Sequence, residues 1–181
     1  MAKEFILITG GARSGKSKYA EQRAVALGLR RLYIATAEAK DDEMARRIEE
    51  HKLRRGSDWL TVEEPVELCS VLLAQRGRID AALIDCITLW LSNLLLLREN
   101  DVSTERRVGD LLETLPRLDF HVIFVTNEVG SAIVPDNALA RNFRDLAGSV
   151  NQRLAARANE VVLMVAGIPM FLKKDEATAC F

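Results

Sequence analysis

The chain of 181 residues has little of what builds small cross-linked or metal-bound folds. It contains three cysteines and two histidines, and no two cysteines show the C-x-x-C spacing of a zinc site or a thiol redox motif. Cys69, Cys86 and Cys180 are odd in number and scattered, which suits a reducing compartment. Without disulfides or a structural metal the fold depends on a hydrophobic core, and residues 1–181 suffice to bury one as a single domain.

An excess of one charge is also missing. Lys and Arg total 25 against 26 Asp and Glu, so the net charge of −1 gives no support for nucleic acid or an anionic membrane as the main partner. Lys3 and Glu4 precede only a few apolar residues, unlike the start of a signal or transit peptide. We therefore expect a cytoplasmic protein that has no membrane span and does not bind nucleic acid.

No apolar run is long enough to cross a bilayer. The most apolar segment, residues 87–97, is too short and has Ser92 and Asn93 in its middle. Its leucines cover more than one helical face, which is too much for a surface helix. Two interpretations fit equally: a helix buried inside the domain, and a helix that packs against another subunit.

Glycine is sparse, with 10 residues in the chain, but three of them stand in one motif. The segment Gly10–Ser17 reads G-G-A-R-S-G-K-S and follows the apolar run Phe5–Ile8. In this P-loop pattern, backbone N–H groups and the N-terminus of the next helix point at phosphate oxygens. Lys16 adds a positive charge for the β and γ phosphates, and the hydroxyl of Ser17 suits Mg²⁺. The residues expected to bind phosphate are Gly10, Gly11, Ala12, Arg13, Ser14, Gly15, Lys16 and Ser17.

Five short apolar runs predict buried parallel strands, and helical patterns separate them. The last of these helices is amphipathic, with Asn151 and Gln152 on its polar side. Alternating strands and helices predict an α/β fold, a P-loop NTPase-like three-layer sandwich with a mostly parallel central sheet. The predicted strands are 5–9, 32–36, 81–85, 122–126 and 161–166, and the apolar residues of the helix are Leu139, Phe143, Leu146, Val150 and Leu154.

Ligands of such sheets bind at the carboxyl ends of the strands, so the residues that close each run are candidates for function. Thr36, Asp85 and the segment Thr126-Asn127-Glu128 hold these positions. An acidic residue that closes a strand in a P-loop fold usually holds Mg²⁺, which makes Asp85 a metal candidate beside Ser17. The alternative for Asp85 is a carboxylate that caps the following helix.

The two histidines differ in their predicted surroundings. Residues 41–55 begin with acidic and end with basic side chains, which predicts a helix with His51 on the same face as Met44 and Ile48. From this pattern a packed core histidine is favoured, although a neutral imidazole could also attack phosphorus and form a phosphoramidate. His121 opens the fourth predicted strand at the end opposite the P-loop, so we expect it to be structural.

Several segments in addition to the P-loop resemble one family in order along the chain, from Phe5 to Leu172. The chain resembles the bifunctional adenosylcobinamide kinase and adenosylcobinamide-phosphate guanylyltransferase family of cobalamin biosynthesis. The segments are Tyr33-Ile34-Ala35-Thr36, Asp42-Glu43-Met44, Arg47-Ile48 with His51, Trp59 with Glu63, Asp85-Cys86 with Thr88 and Trp90, Asn93-Leu94-Leu95, Thr126-Asn127-Glu128-Val129-Gly130, and Arg144-Asp145 with Gly148 and Asn151-Gln152.

The resemblance implies a two-step enzyme. It would phosphorylate the aminopropanol hydroxyl of adenosylcobinamide with ATP or GTP, and then transfer GMP from GTP to that phosphate with release of pyrophosphate. His51 would be the guanylylated nucleophile, Lys16 would act in catalysis, and Mg²⁺ would be the cofactor. The nucleotide-binding residues implied beyond the P-loop are Ala35, Thr36, Ala37, Lys52, Leu53, Arg54, Arg55, Glu63 and Asp85.

The resemblance also implies a homotrimer, in which the helix after Asp85 has a plausible interface. The family often has proline where this chain has Gly56, so the loop that carries Arg55 is expected to be looser. The residues after Lys174 match nothing in the family, and we expect a flexible tail beginning at Lys173 or Lys174. Asn127 and Glu128 could meet the corrinoid or brace the P-loop.

Two other functions are compatible with the motif alone. One is a simple P-loop kinase for a small molecule, with His51 as a packing residue and no covalent intermediate. The other is a non-enzymatic binding module in which nucleotide occupancy switches a partner surface on the leucine-rich helix.

Overall fold

The computed structural model of the chain describes residues 3–37, 46, 49, 58–96, 104–131 and 133–174. Its centre is a sheet of seven strands in the described residues. The strands are β1 (Phe5–Gly10), β2 (Arg31–Ala35), β3 (Trp59–Glu63), β4 (Ala81–Asp85), β5 (His121–Val125), β6 (Glu160–Val165) and β7 (Ile168–Lys174). Their order is β3-β2-β4-β5-β1-β6-β7, and every neighbouring pair is parallel except β6 with β7.

Helices cover both faces of the sheet and complete three layers. The described helices are α1 (Lys16–Leu27), α2 (Leu68–Ala74), α3 (Ile87–Leu96), α4 (Thr104–Thr114) and α5 (Ala138–Arg157), and a 3₁₀ turn spans Leu115–Arg117. Helix α1 packs through Ala20 and Ala24 on one face, while α2 to α5 bury their apolar side chains in the cluster on the other. The predicted fold class is confirmed.

All five predicted strands are present, but two edge strands were missed. β3 and β7 lie at the two ends of the sheet, and much of each is exposed, so neither reads as a buried apolar run. Lys173 and Lys174 belong to β7, opposite Val161 and Glu160, so a tail beginning at either of them is wrong. Residues 175–181 lie outside the described residues.

Helix α5 corrects two expectations. Val150 and Leu154 are fully buried, whereas Leu139 is 68% exposed because it stands in the first turn, beyond the end of the core. Phe143 and Leu146 are partly buried against the core. Asn151 does not lie on a solvated face, because its Oδ1 accepts a hydrogen bond of 2.8 Å from the hydroxyl of Thr126 at the end of β5.

Helix α3 is largely internal. Ile87, Trp90 and Leu91 are buried, and the indole of Trp90 donates to the carbonyl of Val66 at 2.9 Å. This favours the interpretation of a helix buried inside the domain, although Leu96 near its end is 62% exposed. None of the described helices combines the length and apolarity needed to cross a membrane. His121 lies at the far end of the sheet from the P-loop, where its Nδ1 accepts from the N–H of Glu4 at 3.0 Å.

Candidate nucleotide site

The P-loop joins β1 to α1 through backbone conformations that require glycine. Gly10 has φ of 147°, and a Cβ there would lie 2.4 Å from the carbonyl oxygen of Met164 in β6. Gly15 has φ of 94° at the N-cap of α1, and Arg13 also adopts a positive φ of 55°. The loop therefore lies close against β6 and turns sharply into the helix, which leaves the first N–H groups of α1 available to an anion.

Lys16 folds back over this loop. Its ammonium donates to the carbonyl of Gly11 at 2.5 Å and to the hydroxyl of Ser14 at 3.5 Å. Burial lowers its pKa from the ordinary value, and the nearby carboxylate of Asp85 opposes this shift. The side chain is 7% exposed. A polyphosphate would therefore meet a largely desolvated cation, whose attraction to phosphate is stronger than that of a lysine in water.

Asp85 and Ser17 have the chemistry of a Mg²⁺ site. Asp85 closes β4, half-buried, and its Oδ2 accepts from the hydroxyl of Tyr33 at 3.1 Å. Ser17 is half-buried in the first turn of α1. Both offer hard oxygen ligands, which fit Mg²⁺. No cluster of three His, Cys, Asp or Glu occurs in the described residues.

Three expected nucleotide-binding positions stand in a row across neighbouring strands. Ala35 pairs with Asp85 on β4 and with Glu63 on β3. The N–H of Glu64 also donates to the carbonyl of Ala35 at 2.9 Å. Ala35, Glu63 and Asp85 therefore end their strands at one edge of the sheet, as the parallel arrangement requires. Ala37 follows, half-buried, at the last described residue before 46.

Thr36 is an internal support. Its hydroxyl donates to the carbonyl of Cys86 and accepts from the N–H of Cys86, both at 2.8 Å. Its own carbonyl accepts from Nδ2 of Asn93 at 2.8 Å, and its N–H donates to the carbonyl of Asp85 at 3.2 Å. Because these groups are used within the fold, we expect Thr36 to shape the nucleotide site and its neighbours to contact the ligand.

Residues 126–130, which follow β5 and are called the rim here, lie between the P-loop and Asp85 at this edge of the sheet. The N–H and Nδ2 of Asn127 donate to the hydroxyl of Thr88 at 2.8 and 3.0 Å. The N–H of Glu128 donates to the carbonyl of Gly10 at 3.0 Å, and its Oε1 accepts from the N–H of Gly130 at 2.8 Å. Glu128 thus braces the first glycine of the P-loop, one of the two roles considered for it.

The turn between β6 and β7 is a part of the site that sequence reasoning missed. Ala166 and Gly167 have φ of 52° and 82°, and the N–H of Gly167 donates to the carbonyl of Ser14 at 3.0 Å. Two residues with positive φ between apolar strands are typical of a tight type I′ hairpin. The sequence signal was the pair Ala166-Gly167 between Val165 and Ile168, which could have been read as such a turn.

The comparison with protein families is decisive for classification. The family model described as cobinamide kinase / cobinamide phosphate guanyltransferase matches residues 6–172. The chain belongs to this family. It is therefore grouped with enzymes, and the P-loop, Asp85 and the rim after β5 all lie within the matched residues.

Three curated relatives align with this cobinamide kinase family member over nearly the whole of both chains. The chain is 47% identical over 169 residues to the bifunctional adenosylcobalamin biosynthesis protein CobP of Pseudomonas aeruginosa, covering 93% of this chain and 97% of that protein. It is 47% identical over 180 residues to the corresponding protein CobU of Salmonella typhimurium, with 93% and 99% covered. CobU of Escherichia coli is 42% identical over 180 residues, again with 93% and 99% covered.

Solved structures with low sequence identity support the fold of this cobinamide kinase family member. The RadB recombinase superposes with a TM-score of 0.52 at 16% identity, covering 88% of this chain and 73% of that one. An ATPase of a type III secretion system gives a TM-score of 0.57 at 12% identity, with 88% and 50% covered. These likenesses extend to the fold alone.

The predicted nucleophile of this cobinamide kinase family member and the basic residues after it lie outside the described residues. His51, Lys52, Leu53, Arg54 and Arg55 all fall there, as does Gly56. The described part of the site therefore comprises the P-loop, Ala35 to Ala37, Glu63, Asp85 and the rim after β5. The roles assigned to His51 and to its basic neighbours stay predictions.

Proposed function

We propose that this protein catalyses two successive transfers in cobalamin biosynthesis. It phosphorylates adenosylcobinamide with ATP or GTP, and it then transfers GMP from GTP to adenosylcobinamide phosphate through guanylyl-His51. Family membership supports the pair of activities. The observation in the molecule that carries the proposal is Lys16, a buried cation on the P-loop beside the carboxylate of Asp85.

In the kinase step, the aminopropanol oxygen bonds to the γ phosphorus while the bond from that phosphorus to the β–γ bridging oxygen breaks. The nucleoside diphosphate leaves with the electron pair, and the hydroxyl proton passes to solvent. Lys16 and the N–H groups of the P-loop stabilise charge on the phosphate oxygens. Ser17 and Asp85 would hold Mg²⁺, which would supply positive charge to neutralise the phosphates. The protein's part is to position the reactants and stabilise the charge that develops on the phosphate.

In the guanylyl step, an imidazole nitrogen of His51 attacks the α phosphorus of GTP, and pyrophosphate leaves. The terminal phosphate of adenosylcobinamide phosphate then attacks the same phosphorus and displaces the histidine, which gives adenosylcobinamide-GDP. A covalent intermediate divides one difficult transfer into two easier ones. Lys52, Arg54 and Arg55 follow the histidine and would stabilise the charged nucleotide. The same P-loop would hold the polyphosphate in both steps.

The experiment is to incubate the protein with GTP labelled at the α phosphorus, denature it, and measure label on the chain. We expect acid-labile, alkali-stable label that is lost in His51→Ala. His121→Asn is the matched control, because His121 lies at the other end of the sheet, and it should label like the wild type. Transfer of γ phosphate to cobinamide without labelling would indicate a simple kinase. Nucleotide binding without any transfer would indicate a nucleotide-gated module.

We propose further that the protein acts as a homotrimer in the cytoplasm. An exposed apolar surface that a neighbouring subunit could cover supports this, and it lies on β7, a sheet edge in the described residues. Its members are Ile168, Met170, Phe171 and Leu172, each at least half exposed. Light scattering at working concentration tests the trimer, and a monomer mass would contradict it.

A further inference from the structure

Asn127 occupies the position between the two phosphate-handling elements. β5 lies between β4 and β1 in the sheet, so the residues that follow it stand between Asp85 and Gly10. Nδ2 of Asn127 is 3.8 Å from Sγ of Cys86, and Cys86 directly follows Asp85 in the chain. The side chain of Asn127 therefore lies against the residue next to the candidate Mg²⁺ ligand.

The amide of Asn127 is held in one orientation. Nδ2 donates to the hydroxyl of Thr88 at 3.0 Å and toward Sγ of Cys86 at 3.8 Å. Within the described residues no hydrogen bond to Oδ1 is found. The atom of this amide that is available to a ligand is therefore Oδ1, a hydrogen-bond acceptor. A carbonyl oxygen is repelled by phosphate oxygens, but it accepts a hydrogen bond from an O–H group.

The position of the backbone does not depend on this amide. The N–H of Asn127 donates to Thr88 at 2.8 Å, and its carbonyl accepts from Nδ2 of Asn151 at 3.4 Å. The N–H of Glu128 is bound to the carbonyl of Gly10. With the segment held by these bonds, the free oxygen of the side chain is a candidate for contact with substrate.

We propose that Oδ1 of Asn127 accepts the hydrogen bond of the acceptor alcohol and orients its oxygen for in-line attack on the γ phosphorus. This inference rests on the kinase half of the proposed function. Asn127 directs the oxygen lone pair and does not remove the proton, because an amide is not a base at neutral pH. The reaction is otherwise the kinase step described above: the alcohol oxygen bonds to the γ phosphorus, the nucleoside diphosphate leaves, and the proton passes to solvent. Thr88 is a positioning residue that acts through Asn127.

The first test is Asn127→Ala, assayed by transfer of labelled γ phosphate to cobinamide. Loss of alignment is expected to lower kcat by about 10- to 100-fold. The Kd for the nucleotide, measured by calorimetry, should stay near the wild-type value, because the proposed hydrogen bond is made to the alcohol and not to the nucleotide. An unchanged kcat would overturn the inference. A weaker nucleotide Kd with a proportional loss of activity would overturn it too, because the amide would then be a phosphate ligand.

The second test separates positioning from folding. Thr88→Val removes the hydroxyl that holds both the amide and the backbone N–H of Asn127, and Thr88→Ser keeps it. We expect a several-fold fall in kcat for Thr88→Val, restored in Thr88→Ser, with the Kd for the nucleotide unchanged in both. Equal kcat values in the two variants would contradict the positioning role. If the wild-type protein itself transfers no phosphate to cobinamide, the proposed function fails, which is a separate result from either variant outcome.

Discussion

The N–H of Gly167 donates to the carbonyl oxygen of Ser14 at 3.0 Å, so the turn between β6 and β7 is bonded directly to the P-loop. A Cβ on Gly15 would lie 3.2 Å from Cα of Gly167, which shows how closely the two backbones approach. The antiparallel hairpin at the sheet edge therefore supports the anion-binding loop from the β6 side.

Gly167→Ala should weaken this support. Gly167 has φ of 82°, a conformation that costs an L residue about 1 to 2 kcal/mol. We expect a lower Tm and a several-fold weaker nucleotide Kd, measured by thermal unfolding and calorimetry. Gly148→Ala is the control, since Gly148 stands in helix α5 and its added Cβ meets no other part of the described residues within 4 Å. A Kd for Gly167→Ala equal to that of the control would contradict the support role.

Lys16→Ala should abolish phosphate transfer to cobinamide and histidine labelling together, because the same P-loop is proposed to bind the polyphosphate in both steps. Transition-state stabilisation by such a group is worth about two to three orders of magnitude in rate. Lys18→Ala is the control, since Lys18 is exposed two residues further along α1. Both activities are measured with labelled GTP. Histidine labelling that survives in Lys16→Ala would refute the hypothesis that one P-loop serves both steps.

Asp85→Asn should remove most of the activity that depends on Mg²⁺. The amide keeps the shape and the contact with the hydroxyl of Tyr33 but loses the charge that attracts the cation. We expect kcat to fall by about 100-fold, and the Mg²⁺ concentration for half-maximal rate to rise. Tyr33→Phe removes the hydroxyl that donates to Asp85, keeps the carboxylate, and should lower kcat a few-fold. A Mg²⁺ titration that matches the wild type would rule out the metal role of Asp85.

Thr36→Val should destabilise the fold. The buried N–H of Cys86 would lose its acceptor, which costs about 1 to 3 kcal/mol. For a domain of this size each kcal/mol lowers Tm by about 2 to 4 °C. Thr36→Ser keeps the hydroxyl and should retain most of the stability. Equal Tm values for the two variants would show that the hydroxyl of Thr36 contributes nothing.

Stability should depend on the ionisation of His121. Burial lowers the pKa of His121 from its ordinary value, and the negative charges of Glu4 and Asp80 oppose this shift. Nδ1 must also be unprotonated to accept from the N–H of Glu4. A depressed pKa in the folded state means that this stability is present above about pH 6.5, the unfolded value, and is lost as the pH falls toward the folded value. Denaturant unfolding from pH 8 to pH 5 should show a steeper loss in the wild type than in His121→Asn. Parallel curves would contradict the assignment.

Local sequence was sufficient for the P-loop and the buried strands. Glycines spaced in this way around Lys16 and Ser17, after an apolar run, are typical of a P-loop between a strand and a helix. The structure has this loop between β1 and α1. The exposed edge strands β3 and β7 were missed because their sides face solvent, so no continuous apolar run marks them. Leu139 was misplaced because periodicity does not tell where a core ends along a helix.

The sequence by itself determined the P-loop, whose glycines permit the turn, and it predicted the groups proposed to do chemistry: Lys16, Ser17 and the carboxylate of Asp85. Only the tertiary structure decided which of them meet, because strand order is a property of long-range pairing. That order puts Asn127 between Asp85 and Gly10, bonds Gly167 to Ser14, and turns Thr36 inward to Cys86. Residues 50 to 153 positions apart are brought within hydrogen-bond distance by packing across the sheet, and no local pattern records such contacts.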